Sequence, residues 1–530
     1  MMQSSAAYFR CLTLAGCKRA WCCAWLVLAL HGIGAAQTVP NEQASTVPIG
    51  GMAVVAALEQ AVIDVIGKAE QSVVAIVRTR RDQAPNNRAE QFQLPGVAPI
   101  FDSPMSPDHV PTDFASGVVI SADGYIVTCA HALEDPRRND YFVWLDKRAY
   151  TAQVVARPAR VLASDPFTDL AVLKIDAQNL PPAVLGDGSK LRKGQFVIAL
   201  GNPYAIARDG QASASWGIVS NLKRFAPIDE RATGTGILTR DSQHQFGTLI
   251  QTDARLNFGT SGGALVNLRG ELVGLTTSLA ALSGYEQPAG FAIAVDELFK
   301  RVTDALRAGK LPEFGFLGIQ PNDLREADRA RGLSGVRITS VVPGMPGDQA
   351  GLRSDDVISQ VNGRPIDDRN SLFRELSQLP AGTEISILLQ RMHPLGFATE
   401  NVTVKATLSK KYVATQLPAY AVNTLPKWNG MFVEYITAVP TELSRGAISN
   451  RRLNPKLAIL SVDPDSPAWK AGLRAGNGLM AVNNREISSP LEFLNAVEKM
   501  DGLITLQVVR DGERAETISI PAPTVSIKQK

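Results

Sequence analysis

Gly259-Thr260-Ser261-Gly262-Gly263-Ala264-Leu265 is the stretch on which the reading of this chain turns. A serine between glycine turns is one way to present a hydroxyl nucleophile beside backbone N–H groups. Taken alone the string has three readings. It fits a strand-to-helix elbow of the G-x-S-x-G kind, in which the acid and the base follow the serine in the chain. It fits a turn between two strands of a β-barrel, in which both precede it. It also fits an ordinary glycine-rich turn.

The histidines separate these readings. A neutral serine hydroxyl is a weak nucleophile until an imidazole takes its proton and a carboxylate orients that imidazole. Beyond residue 36 the chain has His109, His131, His244 and His393. The α/β-hydrolase order of Ser, acid, His leaves only His393 as base, inside a segment that reads as a repeat. The order His, Asp, Ser works. His131 follows the strand-like run Ile126-Val127-Thr128-Cys129, which opens from the turn Asp123-Gly124. Asp169 precedes the apolar run Leu170-Ala171-Val172-Leu173-Lys174-Ile175. An aspartate at the mouth of such a strand can be buried against the imidazole.

These strings resemble the HtrA/Deg family of trypsin-like serine proteases. The matching segments are Asp123-Gly124-Tyr125-Ile126-Val127-Thr128 before His131 and Thr168-Asp169-Leu170-Ala171-Val172-Leu173-Lys174. They continue with Ala199-Leu200-Gly201-Asn202-Pro203, Gln251-Thr252-Asp253-Ala254 and the serine turn itself. The resemblance implies a mainly β chain: a chymotrypsin-like double β-barrel followed by two small αβ PDZ domains. It implies His131 as general base and then acid, Asp169 as its orienter and Ser261 as nucleophile. The oxyanion hole would be drawn from the backbone N–H groups of Gly259, Thr260 and Ser261. The segment Thr277–Gly290 would line the specificity pocket. Its uncharged residues Leu279, Ala280, Ala281 and Leu282 point to a small or aliphatic preference. The chain departs from the family pattern at Thr260, Ala264, Cys129-Ala130 and Phe258, where Asn, Pro, Asn-Asn and Pro or Arg are usual. Cys129 reads as a small buried residue, with a redox-sensitive thiol as the sharper alternative.

Composition sets the context. The 530 residues suggest about three domains, and 45% hydrophobic with 20% charged residues is ordinary for a globular protein. Arg10, Lys18 and Arg19 precede the apolar run Ala20–Leu30, and Gly34-Ala35-Ala36 follows it. That is the layout of a secretory signal cut near Ala36, with an uncleaved anchor as the alternative. The segment holds three basic and no acidic residues, so the net charge of +3 falls to zero on its removal. Nothing then points to nucleic acid. Four of the five cysteines leave with it, so the mature chain is expected to have no internal disulfide. The signal and the family resemblance together imply the periplasm. No metal cluster or phosphate loop is apparent, so the expected site is free of metal and cofactor.

Short β-branched runs separated by Gly, Asp or Pro fill residues 71–310 and predict antiparallel barrels. A helix over Ala53–Ile66 precedes them and a helix over Glu297–Ala308 closes them. The polar stretch Lys223–Gly247 is long enough to be functional. One reading makes it an autoinhibitory relay from the PDZ domains to Gly259. The second half repeats. Ser340-Val341-Val342-Pro343, Ala350-Gly351-Leu352-Arg353 and Val361-Asn362 recur 121 residues later as Ser461-Val462-Asp463-Pro464, Ala471-Gly472-Leu473-Arg474 and Val482-Asn483. The expected plan is a signal peptide over 1–36, a flexible segment and helix over 37–70, and the protease over 71–310. PDZ domains follow over 312–410 and 429–524, joined by a linker over 411–428. In the first PDZ copy Phe316-Leu317-Gly318-Ile319 resembles the loop that holds a peptide carboxylate. Gly430-Met431-Phe432-Val433 is the weaker candidate in the second. The expected function is ATP-independent cleavage of unfolded envelope proteins by a homo-oligomer built of trimers. The PDZ domains would bind peptide C-termini. The competing reading is a chaperone or PDZ scaffold with a vestigial protease domain.

Overall fold

Alternation along the strands builds the first half of the molecule. The structure, a computed structural model, describes residues 51–81, 113–145, 155–202, 211–225, 242–257, 259–277, 290–392, 399–414, 418–448, 453–510 and 514–523. The expected signal segment, most of Thr79–Asp113 and of Lys223–Gly247, Phe258, and Leu279–Leu282 lie outside these residues.

Six strands form the first barrel: β1 (Val73–Arg80), β2 (Asp113–Val119), β3 (Tyr125–Cys129), β4 (Asn139–Leu145), β5 (Val155–Asp165) and β6 (Leu170–Ile175). They pair antiparallel in the order β5-β4-β1-β2-β3-β6, and the β5–β6 pairing closes the ring. A second closed ring runs β11-β8-β9-β10-β13-β12. Its strands are β8 (Phe196–Gly201), β9 (Ser213–Arg224), β10 (Leu249–Thr252), β11 (Ala264–Asn267), β12 (Glu271–Thr277) and β13 (Gly290–Ala294). The short β7 (Val184–Leu185) lies parallel to β12.

Successive side chains of a strand face opposite ways. Ile126, Ala171 and Leu173 therefore fill the first barrel with Val74, Ile76 and Val119. Their neighbours Val127, Leu170 and Val172 face outward and meet Ile198, Leu200, Ala264 and Val266 from the second barrel. Val197, Ala199 and Leu265 point back into the second barrel with Val219, Ile250 and Val273. Both faces of these strands are covered, which is why they read as continuous apolar runs. The helix Glu297–Arg307, capped by Asp296 through Phe299 N, adds Leu298, Phe299, Val302 and Leu306 to the shared core.

The strand-like runs read from the sequence leave out β5, β11 and the short β7; β5 is the longest of these. Pro158 and the charged Arg157 and Arg160 mask it in the sequence. Proline sits there without breaking the barrel because strands tolerate it where its missing N–H is not needed. β5 is long enough to pair with β4 over Val155–Ala159 and with β6 over Ala159–Asp165.

The second half contains two modules of one design. The first has β14 (Gly315–Phe316), β15 (Ile319–Asp323), β16 (Val336–Val341), β17 (Val357–Val361), β18 (Arg364–Pro365), β19 (Glu384–Met392), β20 (Thr399–Thr407) and β21 (Ser409–Lys410), with helix Arg369–Ser377. Between the modules β22 (Tyr420–Ala421) interrupts what the sequence presents as a plain linker. It pairs with Ser164 and Ala163 of β5, beyond the point where β4 ends. The second module has β23 (Met431–Tyr435), β24 (Leu457–Val462), β25 (Gly478–Val482), β26 (Arg485–Glu486), β27 (Leu503–Val509) and β28 (Ala515–Pro521), with helix Pro490–Glu498. β16, β17, β18 and helix Arg369–Ser377 recur as β24, β25, β26 and helix Pro490–Glu498 at an offset of 121. Each module has its own apolar core, around Leu372 in the first and Phe493 in the second.

The first module is docked on the barrels. Phe373 stacks on Phe246 with ring centroids 4.7 Å apart, and Arg374 donates to Phe246 O. Arg301 of the closing helix donates to Ser377 O at 2.9 Å and to Glu313 O at 2.8 Å. Lys411, just after β21, lies 4.2 Å from the ring centre of Phe167.

Candidate active site

The pairing of β3 with β6 in the first barrel places a histidine beside an aspartate. In the β3–β6 ladder Cys129 is opposite Leu170. Continuing one step, Ala130 N donates to Asp169 O at 3.0 Å. The chain then turns into the one-turn helix Ala130–Leu133, whose first N–H groups have no partner within the helix. One of them, His131 N, donates to Asp169 Oδ1 at 2.9 Å. His131 Nδ1 lies 2.7 Å from Asp169 Oδ2. His131 Nε2 lies 3.1 Å from Ser261 Oγ. The structure thus brings together all three residues singled out from the sequence, at the seam between the barrels.

Asp169 is 7% exposed. Burial pushes its carboxyl up, but the charge and hydrogen bonds of His131 outweigh this and hold it below its ordinary value. An ionised carboxylate accepts only, so Nδ1 of His131 carries a proton, and in the neutral ring Nε2 is the acceptor that faces Ser261. This is the tautomer that removes a proton from a serine hydroxyl. Asp169 has φ 57, a left-handed conformation that Asp tolerates better than most residues. Asp165, four residues earlier, accepts from Thr168 Oγ1 at 2.6 Å and Thr168 N at 3.1 Å. Burial pushes its carboxyl up to about 6 against these bonds.

The serine turn is tied on every side. Ser116 N donates to Ser261 O at 2.9 Å. Ser116 Oγ donates to Gly259 O at 2.8 Å and accepts from Asn202 N at 2.8 Å. Gly262 N donates to Thr276 O at 2.8 Å. Gly262 has φ +83, and a Cβ there would lie 2.2 Å from both Ser116 O and Thr128 Oγ1, so only glycine fits. Ser116 and Asn202 were not picked out from the sequence as part of the site. Their signal was the Ala115-Ser116-Gly117 break in an otherwise apolar strand and the Gly201-Asn202-Pro203 string.

Among the expected oxyanion donors Gly259, Thr260 and Ser261, Thr260 N donates to Asn257 O at 3.1 Å and closes the turn. Thr260 Oγ1 also donates to Asn257 O, at 2.7 Å. The described end of the proposed relay, residues 242–247, meets the Phe167–Thr168 turn and helix Arg369–Ser377.

Cys129, His131 and Asp169 are the one group of potential metal donors among the described residues. The imidazole and carboxylate are bonded to each other. The Cys129 thiol is fully buried, reaches Thr276 O at 3.5 Å, and is pushed far above its ordinary value by burial and the Asp169 charge.

In the first module Gly318 has φ +76, and a Cβ would meet Met345 Cβ at 2.3 Å. Gly347 N donates to Leu317 O at 2.7 Å and Val342 N to Gly318 O at 2.8 Å. Leu317 is buried in the module core. Phe316 pairs with Ser409, and Ile319 opens β15, an edge strand with only β16 beside it. The equivalent glycine of the second module is Gly430, with φ +83 and its O accepting from Asp463 N. The loop matching Phe316–Ile319 is therefore Trp428-Asn429-Gly430-Met431. The expected Gly430–Val433 extends into the strand, because the residues before β24 are a longer insertion than those before β16.

Two β-barrels with this serine site between them, followed by twin modules, define a trypsin-like serine peptidase with PDZ domains. A trypsin-like peptidase domain matches residues 115–275, and a PDZ domain matches residues 337–391 and 459–510. A probable periplasmic DegP-like serine endoprotease of Chlamydia muridarum is 33% identical over 407 residues, 75% of this chain and 72% of the relative. One of Halomonas elongata is 29% identical over 472 residues, 84% and 90%. Among solved structures, an HtrA-type protease, AlgW, with a decapeptide is 27% identical, covering 66% of this chain and 99% of that one with a TM-score of 0.45. The serine endoprotease from Yersinia pestis is 26% identical, at 66% and 97% with a TM-score of 0.42. The chain belongs to the DegP-like family of HtrA serine endoproteases. No described helix is long and apolar enough to cross a membrane.

Proposed function

We propose that Ser261, His131 and Asp169 are the catalytic triad of this endoprotease. The observation that carries this reading is the continuous chain Ser261 Oγ, His131 Nε2, His131 Nδ1, Asp169 Oδ2, with links of 3.1 and 2.7 Å. As Ser261 Oγ attacks the scissile carbonyl carbon, its proton passes to His131 Nε2. The negative charge that develops on the carbonyl oxygen is met by the N–H groups of Gly259 and Ser261. His131 then protonates the leaving amine, and the acyl-enzyme remains. Water attacks it, gives its proton to His131, and Ser261 is restored. Asp169 keeps its charge and steadies the imidazolium.

The substrates in this reading are unfolded polypeptides of the envelope, cleaved without ATP after small or aliphatic residues. Export through the segment 1–36 would place the protein in the periplasm, where its relatives are named. The peptidase would span 71–310. The PDZ domains would span 312–410 and 429–524, and the working form would be a trimer or a multiple of one. A peptide C-terminus would add to the edge of β15, with its carboxylate at Phe316-Leu317-Gly318-Ile319. The intact bonding of all three catalytic groups favours this over a scaffold with a vestigial site.

The test is hydrolysis of denatured casein by the mature protein beside Ser261→Ala, with and without C-terminal peptides. Activity is expected in the first and a loss of about 10⁴-fold or more in the second. Equal hydrolysis by both, or none by either under any of these conditions, contradicts the proposal.

A further inference from the structure

A second histidine holds the catalytic aspartate from behind. His244 sits in the 3₁₀ turn Gln243–Phe246, which Ser242 caps through His244 N at 3.2 Å. The residue is 1% exposed. Both ring nitrogens are engaged: Nε2 with Thr168 O at 3.2 Å and Nδ1 with Thr248 Oγ1 at 2.8 Å. A carbonyl accepts only, so Nε2 carries the proton, and Nδ1 accepts from the Thr248 hydroxyl. The ring is neutral and fully used.

The bonded carbonyl matters because of where it lies. Thr168 O belongs to the peptide that leads into Asp169, and Asp169 is left-handed at φ 57. A residue in that region persists when its surroundings over-determine it. Rotation of the 168–169 peptide would swing the carboxylate away from His131. Gln243 N adds a bond to Phe167 O at 2.9 Å, and Ser242 Oγ one at 3.3 Å. Two successive carbonyls are thus held by this turn, while His131 and Ala130 N hold the residue from the other side.

We infer that His244 is a positioning residue for the proteolytic reaction: its Nε2–H bond to Thr168 O sets the peptide plane from which Asp169 reaches His131. This rests on the triad proposed above. It concerns a residue that touches neither substrate nor reacting atoms. The ionisable groups facing the 165–169 turn, which itself carries Asp165 and Asp169, are His131, Cys129, His244, Lys411 and Arg301.

The test uses the full mature protein with a peptide substrate. It compares wild type, His244→Leu, His244→Gln, Thr248→Val and Ser261→Ala. Leucine keeps bulk and removes the donor, whereas glutamine returns an N–H at about the reach of Nε2. His244→Leu is expected to lower kcat by about 10- to 100-fold with KM little changed. His244→Gln is expected to recover most of kcat. Thr248→Val, which frees the ring to turn, should lower kcat by less than the leucine variant, again with KM little changed. If His244→Leu does not fold, the contrast between His244→Gln and Thr248→Val carries the test. Unchanged kcat in the leucine variant, or equal losses in leucine and glutamine, overturn the inference. Inactive wild type, or active Ser261→Ala, would instead overturn the triad.

Discussion

Asp169 keeps its charge inside the protein because His131 bonds its carboxylate twice, through N and through Nδ1, while Ala130 N donates to the Asp169 backbone carbonyl and fixes the residue in place. His244 is the counterpart that stays neutral, and burial lowers it to about 4 from 6.5 even though the Asp169 charge opposes the shift and His131 adds to it. Its folded-state value lies below the unfolded one. The unfolded chain therefore binds a proton first, and stability is lost as pH falls from 6.5 through 4. Replacing His244 with glutamine is expected to remove up to about 3 kcal/mol of that acid sensitivity. Urea unfolding of both proteins at pH 7 and pH 4 measures it; parallel losses in the two would count against a neutral buried ring. At this scale the sequence showed Ser261, His131 and Asp169, because each stands at a strand end beside a recognisable string. It did not show His244. That residue is 75 positions from Asp169, and only the fold brings them together. Nor did the string show that Thr260 N would be spent on Asn257 O, since turn closure is a property of backbone dihedrals.

Among elements, the serine turn leaves little room for change. Gly262→Ala would force a Cβ against Ser116 O and Thr128 Oγ1 at a positive φ. A loss of more than about 2 kcal/mol is expected in chemical denaturation, together with loss of proteolysis. A stable, active variant would show that the turn has another conformation. The longest strand that sequence reading missed, β5, illustrates the opposite case. Its proline and arginines disguise it locally, yet three neighbouring strands pair with it. The last of these is β22, whose neighbour Val422 N donates to Leu162 O at 3.0 Å. Val422→Pro deletes that donor and is expected to cost about 1 kcal/mol, lowering Tm by roughly 2–4 °C. Unchanged Tm would mean the strand is not held in solution.

For the whole molecule, the repeat was legible because its strings recur at one spacing of 121 residues, which β16, β17, β18 and helix Arg369–Ser377 keep in the fold. The double barrel was legible from apolar runs covered on both faces. What the sequence could not reveal is that the segment between the repeats is part of the first barrel. Lys411 lies over Phe167, β22 extends the sheet along β5, and Asn423 bonds Gly309 O and Ala308 O. A chain ending at Lys410 should therefore unfold at lower temperature than one ending at Lys427, although neither contains the second PDZ domain. Equal midpoints by differential scanning calorimetry would refute that role.

The most direct check of the central claim is chemical. A fluorophosphonate reacts only with a serine whose proton has somewhere to go. Treating the mature protein with it in the presence of denatured casein, then mapping the adduct by mass spectrometry, should place one label on Ser261. His131→Ala should abolish it. A label on another serine, or equal labelling of Ser261 after His131→Ala, would contradict the account.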